Sequence, residues 1–268
     1  MGAMSSTAAP ITTFRGVLGG GGRPGIEGRR FIEAAYEISG AVRPHILNVP
    51  TAKASQKTHD SAVWELAEAY KSGADVVSLH AFGERPSRER VLELLEWCDV
   101  AYFCGGDTPR LVNLMNELSV TPNLIGAFTG EGHRTACGIS AGTLCWFEAG
   151  QSDTQSYNLA PGDSWNYEVV PGWGLLPALG GVHYNRFHPQ TGWPRAMDFR
   201  GEMLRRSNPI GLAVTNQAAW KFSGGMASIV DSESTGQGFR FTQNEYAGLD
   251  VTAFAESDGE IPAGQLFS

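Results

Sequence analysis

The 268-residue sequence has only four cysteines, Cys98, Cys104, Cys137 and Cys145, and no C-x-x-C pair. That excludes a disulfide scaffold, argues against a thiolate metal site and leaves buried, reduced thiols as the expectation. It also lacks any run of Lys or Arg. Twenty basic residues stand against 28 acidic ones, giving a formal net charge of −8 and a pI near 5.3. A nucleic-acid partner is therefore not expected. No apolar stretch reaches the roughly 20 residues that cross a bilayer, so no membrane partner is expected either. Residues Met1 to Thr13 lack the basic and apolar regions of a secretory signal. They are read as a flexible tail (1–13) ahead of a single α/β domain (14–268), with a cytoplasmic location. The 34 glycines follow no G-X-Y period, which excludes collagen, and a hydrophobic fraction of 42% excludes disorder.

Short apolar runs alternate with amphipathic stretches. Strands are expected at Phe14–Leu18, His45–Val49, Asp75–Leu79, Val100–Cys104 and Thr135–Ile139. Helices are expected at Phe31–Ile38, Ser61–Lys71, Ser87–Trp97, Leu111–Leu118 and Ala141–Phe147. This order predicts a doubly wound, mostly parallel sheet flanked by helices. Beyond Gln151 the pattern degrades. Short strands are read at Trp173–Leu176, Gly181–Tyr184, Gly211–Val214 and Ala218–Phe222, with one helix around Pro194–Arg205.

Gly138-Ile139-Ser140-Ala141-Gly142 has the G-x-S-x-G form of a nucleophile elbow. The pattern alone is weak in so Gly-rich a chain, but it lies between a strand-like and a helix-like run, the setting an elbow needs. Such a turn lifts the Ser140 hydroxyl above the sheet and frees the Ala141 N–H for a developing oxyanion. A second Gly-rich turn, Gly105-Gly106-Asp107, follows the fourth strand on the same edge, so Gly106 is a candidate second oxyanion donor. Gly20, Gly22 and Gly25 satisfy G-x-G-x-x-G. However, Pro24 interrupts the motif and no acid ends the second strand, so no nucleotide cofactor is expected. His183 is the best-placed base and His188 its alternative. Glu148, Asp153, Asp163, Asp198 and Glu202 all remain open as the acid, because triad members meet only in space.

Together, Tyr102 to Thr108, Gly138 to Glu148, Gly172 to Leu176 and His183-Tyr184-Asn185 resemble the S51 peptidases, a family that includes peptidase E (aspartyl dipeptidase) and the cyanophycinases. The resemblance spans about residues 15 to 225. It implies a class I glutamine-amidotransferase-like fold and a Ser-His-carboxylate triad without metal or cofactor. The peptidase E pattern places the carboxylate at Asp153; the cyanophycinase pattern would use a later Glu, with Glu202 second to Asp153. The G-E-T-R stretch whose Arg holds an aspartyl side chain in aspartyl dipeptidases has Gly192-Trp193-Pro194-Arg195 as its nearest counterpart. The expectation is therefore a serine peptidase acting on short peptides. Ser140, His183 and Asp153 would be its triad, and Ala141 and Gly106 its oxyanion hole. Arg195 and Asp107 would bind substrate, with a preference for an N-terminal Asp. The resemblance also allows a homodimer. Two rivals remain: an inactive amidotransferase-like binding protein, and a hydrolase of non-peptide amides or esters.

Overall fold

The structure, a computed structural model, describes residues 11–21, 26–53, 55, 66, 73–79, 85–130, 134–157, 159–160, 162–207 and 209–268. Apart from Leu66, the helix expected over Ser61–Lys71 lies outside the described residues. So do His59, His80, His133, residues 1–10 of the expected tail, and Gly22 to Gly25. Ile11–Thr13, assigned to that tail, instead form a 3-10 turn that buries Ile11 in the main core.

In chain order the described elements are β1 (Gly16–Gly19), α1 (Ile26–Ser39), β2 (His45–Val49), β3 (Asp75–Ser78), α2 (Arg88–Trp97), β4 (Val100–Phe103), α3 (Thr108–Glu117), α4 (Thr121–Phe128), β5 (Thr135–Ile139) and α5 (Ala141–Leu144). They continue with β6 (Phe147–Ser152), β7 (Glu168–Pro171), β8 (Leu176–Gly181), α6 (Arg195–Leu204), β9 (Ile210–Val214), β10 (Ala218–Ser223), β11 (Met226–Asp231), β12 (Gly238–Gln243), β13 (Leu249–Phe254) and β14 (Ile261–Pro262). Two sheets result. The larger runs β14-β11-β10-β1-β5-β4-β2-β3 and the smaller β13-β12-β9-β8-β6-β7.

The parallel, doubly wound part is β1 to β5, as the alternation predicts. Val17, Ile46, Val100, Tyr102 and Cys137 pack on the face that α1 covers with Phe31, Ile32 and Ala35. Their neighbours Leu18, Leu47, Ala101, Phe103 and Ala136 pack on the other face, against Val91, Leu111, Met115 and Phe128 of α2 to α4. A strand buried on both faces reads as an unbroken apolar run, which is why β1, β2, β4 and β5 were visible in the sequence; β3, at the sheet edge, is only partly buried. The Ser87 hydroxyl caps α2 by accepting from Arg90 N at 3.1 Å, as expected from its position.

After β5 the outcome differs more. The expected helix Ala141–Phe147 stops at Leu144, and Phe147 opens β6. Trp173 to Leu175 form a turn before β8, which ends at Gly181, so both strands read in this region are out of register. A second sheet and the antiparallel extension β10-β11-β14 were not anticipated. The smaller sheet contributes Leu176, Ala178, Leu212 and Val214 to the main core. Its other face, with Leu179, Ala213 and Phe241, is closed by Phe199 and Met203 of α6.

Trp146 sits where the sheets meet. It is fully buried and makes edge contacts with Phe103 (centroids 5.3 Å apart), Phe128 (5.5 Å) and Trp173 (5.0 Å). Such pairs contribute about 0.5–1.5 kcal/mol beyond their burial. The cluster lies directly after the four-residue α5, a helix too short to hold itself. Trp146→Ala should therefore cost about 3–5 kcal/mol of stability, read as a fall in the denaturant midpoint. A loss below about 1 kcal/mol would show that the cluster does not anchor this junction.

Candidate active site

β1, β4 and β5 are parallel neighbours or near neighbours, so their carboxyl ends share one edge. Ser140 leaves β5 there, with φ 55° and ψ −112°, a conformation that L-residues avoid. Such strain costs about 1–3 kcal/mol and persists only where the surroundings enforce it. Several contacts do so. Ser140 N donates to Gly19 O at 3.1 Å, and the Ser140 carbonyl accepts from Thr143 N and Leu144 N, both at 2.9 Å. The Thr143 hydroxyl lies 2.7 Å from Gly19 O and 3.0 Å from Gly138 O. Both motif glycines are needed for close approach. A Cβ on Gly138 would lie 2.1 Å from the Gly142 carbonyl oxygen, and one on Gly142 would lie 2.0 Å from that of Phe103.

His183 leaves β8 through Val182, and its own φ is +51°. Its Nε2 lies 2.9 Å from Ser140 Oγ and its Nδ1 lies 2.7 Å from Asn216 Oδ1. The amide oxygen can only accept, so Nδ1 carries the proton and Nε2 faces the serine hydroxyl as an acceptor. Asn216 follows β9 and is itself fixed, its N–H donating to Asn185 Oδ1 at 3.0 Å. The backbone of His183 is tied to β1 by His183 N donating to Gly20 O at 3.0 Å.

The hydrogen-bond partner of Nδ1 is therefore Asn216, a correction to the Asp153 expected there. Asp153 lies beyond β6, with its Oδ2 3.9 Å from Arg195 Nη1. The other acids weighed do not reach the imidazole either. Glu202 pairs with Arg205 at 2.5 Å, Asp163 accepts from Ala160 N at 3.1 Å, Asp198 accepts from Gln151 Nε2 at 2.6 Å, and Glu148 is exposed. His188, the alternative base, is a packing residue. Its Nδ1 accepts from Gln190 N and Thr191 N, its Nε2–H donates to Trp165 O at 3.1 Å, and its ring lies 4.0 Å from that of Trp165.

Of the two oxyanion candidates, Ala141 directly follows Ser140 and Gly106 lies in the turn after β4. A Cβ on Gly105 would sit 3.8 Å from Ser140 Oγ, so the β4 turn overhangs the elbow. Neither the Gly106 nor the Ala141 amide donates to any other described residue. Gly106 itself has φ +145°, and a Cβ there would strike Ala52 O at 2.2 Å. Asp107 accepts from the Thr154 hydroxyl, and Arg195 is buried against Gln151, donating from Nε to the side chain (3.2 Å) and from Nη2 to the backbone oxygen (2.7 Å). The Arg195 guanidinium also lies 4.5 Å over the Tyr167 ring.

Sequence reasoning missed Asn216 and the purpose of the first glycine run. Asn216 follows the apolar run Gly211–Val214, which is the available signal: it is a strand-end residue on the site's edge. A Cβ on Gly21 would lie 2.0 Å from His183 Cε1, so the bare backbone here makes room for the imidazole rather than for a phosphate. The four cysteines are free and buried, and burial pushes the Cys98 and Cys137 thiols up to about 12. Among the described residues no group of three His, Cys, Asp or Glu side chains could hold a metal, and no helix is long and apolar enough to cross a membrane.

These features define an α/β protein with an assembled Ser-His pair at a strand-to-helix elbow. Residues 18–230 match the family described as Peptidase family S51, and the chain belongs to that family. It is 29% identical over 112 residues to the Bacillus subtilis (strain 168) protein named "Uncharacterized peptidase YgaJ", a match covering 42% of this chain and 46% of that protein. The chain thus aligns with under half the length of this relative. Its fold is similar to that of a peptidase from an acI-B1 Actinobacterium, with a TM-score of 0.62, 18% identity, and coverage of 93% of this chain and 97% of the other. It is also similar to a putative peptidase E protein from Listeria monocytogenes EGD-e, with a TM-score of 0.57, 15% identity, and coverage of 82% and 98%. The α/β architecture expected from the sequence, a large sheet flanked by helices, agrees with these neighbours.

Desolvation, with the Arg195 charge second, pushes the His183 imidazole down to about 4; the Asn216 hydrogen bond and Asp153 oppose this. His183 is then neutral, and able to accept a proton, at every pH above that value. The unfolded chain, with a histidine near 6.5, takes up the proton first as pH falls, so this residue removes stability between about 6.5 and 4. Any rate that depends on neutral His183 should stay full down to about pH 5 and fall through about 4. Asn216→Asp places a carboxylate at Nδ1 and should move that acid limb upward, read from the pH profile of Ser140 labelling by a fluorophosphonate. A limb that does not move would separate Asn216 from the base.

Proposed function

We propose that this S51 peptidase is a serine peptidase that cleaves short peptides, dipeptides among them, through Ser140 and His183, with Asn216 orienting the imidazole. The observation that carries the reading is the 2.9 Å approach of His183 Nε2 to Ser140 Oγ at a strained elbow. In this reading Ser140 Oγ attacks the scissile carbonyl as its proton passes to Nε2. The N–H groups of Ala141 and Gly106 receive the oxyanion, each donor contributing about 2.7–4 kcal/mol of barrier lowering by comparison with other serine hydrolases. The imidazolium then protonates the leaving amine, and water enters by the reverse sequence to release the acyl group. An asparagine can fill the third position because the role is to fix tautomer and orientation, as in papain-like Cys-His-Asn sites. It brings no charge to stabilise the imidazolium, so that task falls to the more distant Asp153.

An assembled nucleophile-base pair favours catalysis over an inactive binding protein, and membership of a peptidase family favours peptides over other amides or esters. Ser140→Ala removes one hydroxyl from a partly exposed position and should fold normally while losing peptide hydrolysis by several orders of magnitude. A fluorophosphonate should label wild type at Ser140 and leave this variant unlabelled. Near-full activity in Ser140→Ala would overturn the reading.

A preference for an N-terminal Asp rests on Arg195, whose Nη1 points toward Asp153 rather than Gln151. Asp-Leu should then exceed Asn-Leu in kcat/KM by about tenfold or more. Arg195→Lys keeps the charge but loses the planar fork, and should shrink that ratio; Ala at this buried, hydrogen-bonded position would report stability as much as recognition. An equal rate for the two dipeptides in wild type would remove Arg195 from recognition.

A further inference from the structure

We propose that Asp107 and Thr154 are positioning residues, a carboxylate-hydroxyl pair that holds the Gly105-Gly106 turn against the Ser140 elbow; the role rests on the peptidase reading above and deepens it. Asp107 directly precedes α3 and occupies its N-cap. An aspartate there ordinarily accepts N–H groups of the first helical turn, as the Ser87 hydroxyl does for α2. Asp107 makes no such bond. Its carboxylate instead accepts the Thr154 hydroxyl, just beyond β6. The chain thus forgoes a stabilising cap on α3 for a contact between the turn after β4 and the end of β6.

Both partners are buried, Asp107 with 8% exposure and Thr154 with 6%. A second polar contact runs in parallel: the buried Thr108 and Ser152 hydroxyls lie 3.3 Å apart. Two successive residues of the turn are therefore joined, through side chains, to the end of a strand in the smaller sheet. Polar groups buried at such a junction are unfavourable unless paired, and paired they specify one arrangement of the two segments.

The arrangement they specify is that of the turn beside the nucleophile. A Cβ on Gly105 would lie 3.2 Å from Ser140 Cβ and 3.8 Å from Ser140 Oγ, and the next N–H along the chain is that of Gly106. Gly105 and Gly106 have no side chains with which to fix this turn, and glycine backbone is the most permissive. An N–H that is to meet an oxyanion at hydrogen-bonding range needs an anchor close by. Asp107 provides it twice. Its own N–H donates to Ala52 O at 2.8 Å, on the loop after β2, and its carboxylate takes the Thr154 hydroxyl. Asp107 thereby serves the turn rather than the substrate it was expected to bind.

Two variants break the pair from opposite ends. Thr154→Val removes the hydroxyl at nearly constant shape and leaves Asp107 able to cap α3; Asp107→Ser keeps a capping side chain and withdraws the carboxylate. Both should fold, as read by thermal unfolding. The comparison with wild type uses kcat and KM for Asp-Leu and Ala-Leu, fluorophosphonate labelling of Ser140, and inhibition by the boronic acid analogue of alanine, whose tetrahedral adduct on Ser140 puts an oxygen where the oxyanion forms. Each variant should lose about ten- to a hundredfold in kcat with KM held within about threefold, and boronate affinity should fall by the same factor as kcat/KM. The double variant should lose little more than either single one, because all three break one contact. Thr154→Ser keeps the hydroxyl and should stay within about threefold of wild type. Folded variants with a lowered unfolding temperature but unchanged kcat and boronate affinity overturn the inference and leave the peptidase reading intact, as does failure of both variants to fold. Wild type that neither takes the label nor cleaves either dipeptide overturns the peptidase reading, and this inference with it.

Discussion

The end of β1 has no side chains, and the candidate site is assembled on its bare backbone. Gly19 O accepts the Ser140 N–H and lies within reach of the Thr143 hydroxyl. Gly20 O accepts the His183 N–H, and Gly21 O accepts the Gln217 N–H. Three consecutive carbonyls thus bind the elbow after β5, the turn after β8 and the turn after β9. Two of those turns come from the smaller sheet, so the nucleophile and base arrive from different sheets and meet through β1. A Cβ on Gly19 would press on the Phe31 ring at 2.8 Å, one on Gly20 on the Thr215 carbonyl at 2.2 Å, and one on Gly21 on the His183 ring at 2.0 Å.

The strain in the site follows from the same arrangement. Ser140 and His183 both have positive φ, 55° and 51°, and each would relax if its neighbours let go. The Trp146 cluster below and the close-packed glycines above prevent that. Free energy gained by burying aromatic rings is in this way connected to two unfavourable backbone conformations at the surface where chemistry is proposed. The imidazole is kept neutral by desolvation and by Arg195, and Asn216 fixes its tautomer without adding charge.

The sequence made the parallel half of the fold legible because β1, β2, β4 and β5 are buried on both faces and carry the apolar runs this requires. It made the elbow legible because G-x-S-x-G states its own steric need. The smaller sheet was harder to see. β6 reads Phe147-Glu148-Ala149-Gly150-Gln151-Ser152, with no β-branched residue. β13 reads Leu249 to Phe254 and is largely exposed. Asp153 was expected because the peptidase E resemblance sets the carboxylate shortly after the elbow helix, and Asn216, not being an acid, was not among the residues weighed. Only the pairing of β8 with β9 brings Asn216 beside His183. The glycines at 20 and 21 were visible, but their partner lay more than 160 positions away, so a local motif was the natural comparison and the wrong one.

The central claim is that the side-chain-free end of β1 sets the geometry of the Ser140-His183 pair. Gly21→Ala tests it most directly, since the three atoms nearest the added Cβ would be His183 Cε1 at 2.0 Å, His183 Nδ1 at 2.3 Å and Asn216 Oδ1 at 3.1 Å. The measurement is the second-order rate of Ser140 labelling by a fluorophosphonate, with thermal unfolding run alongside to confirm a folded variant. The account predicts a folded protein labelled about a hundredfold more slowly, the scale expected when a base is displaced by about 1 Å. A folded Gly21→Ala protein labelled at the wild-type rate would contradict it.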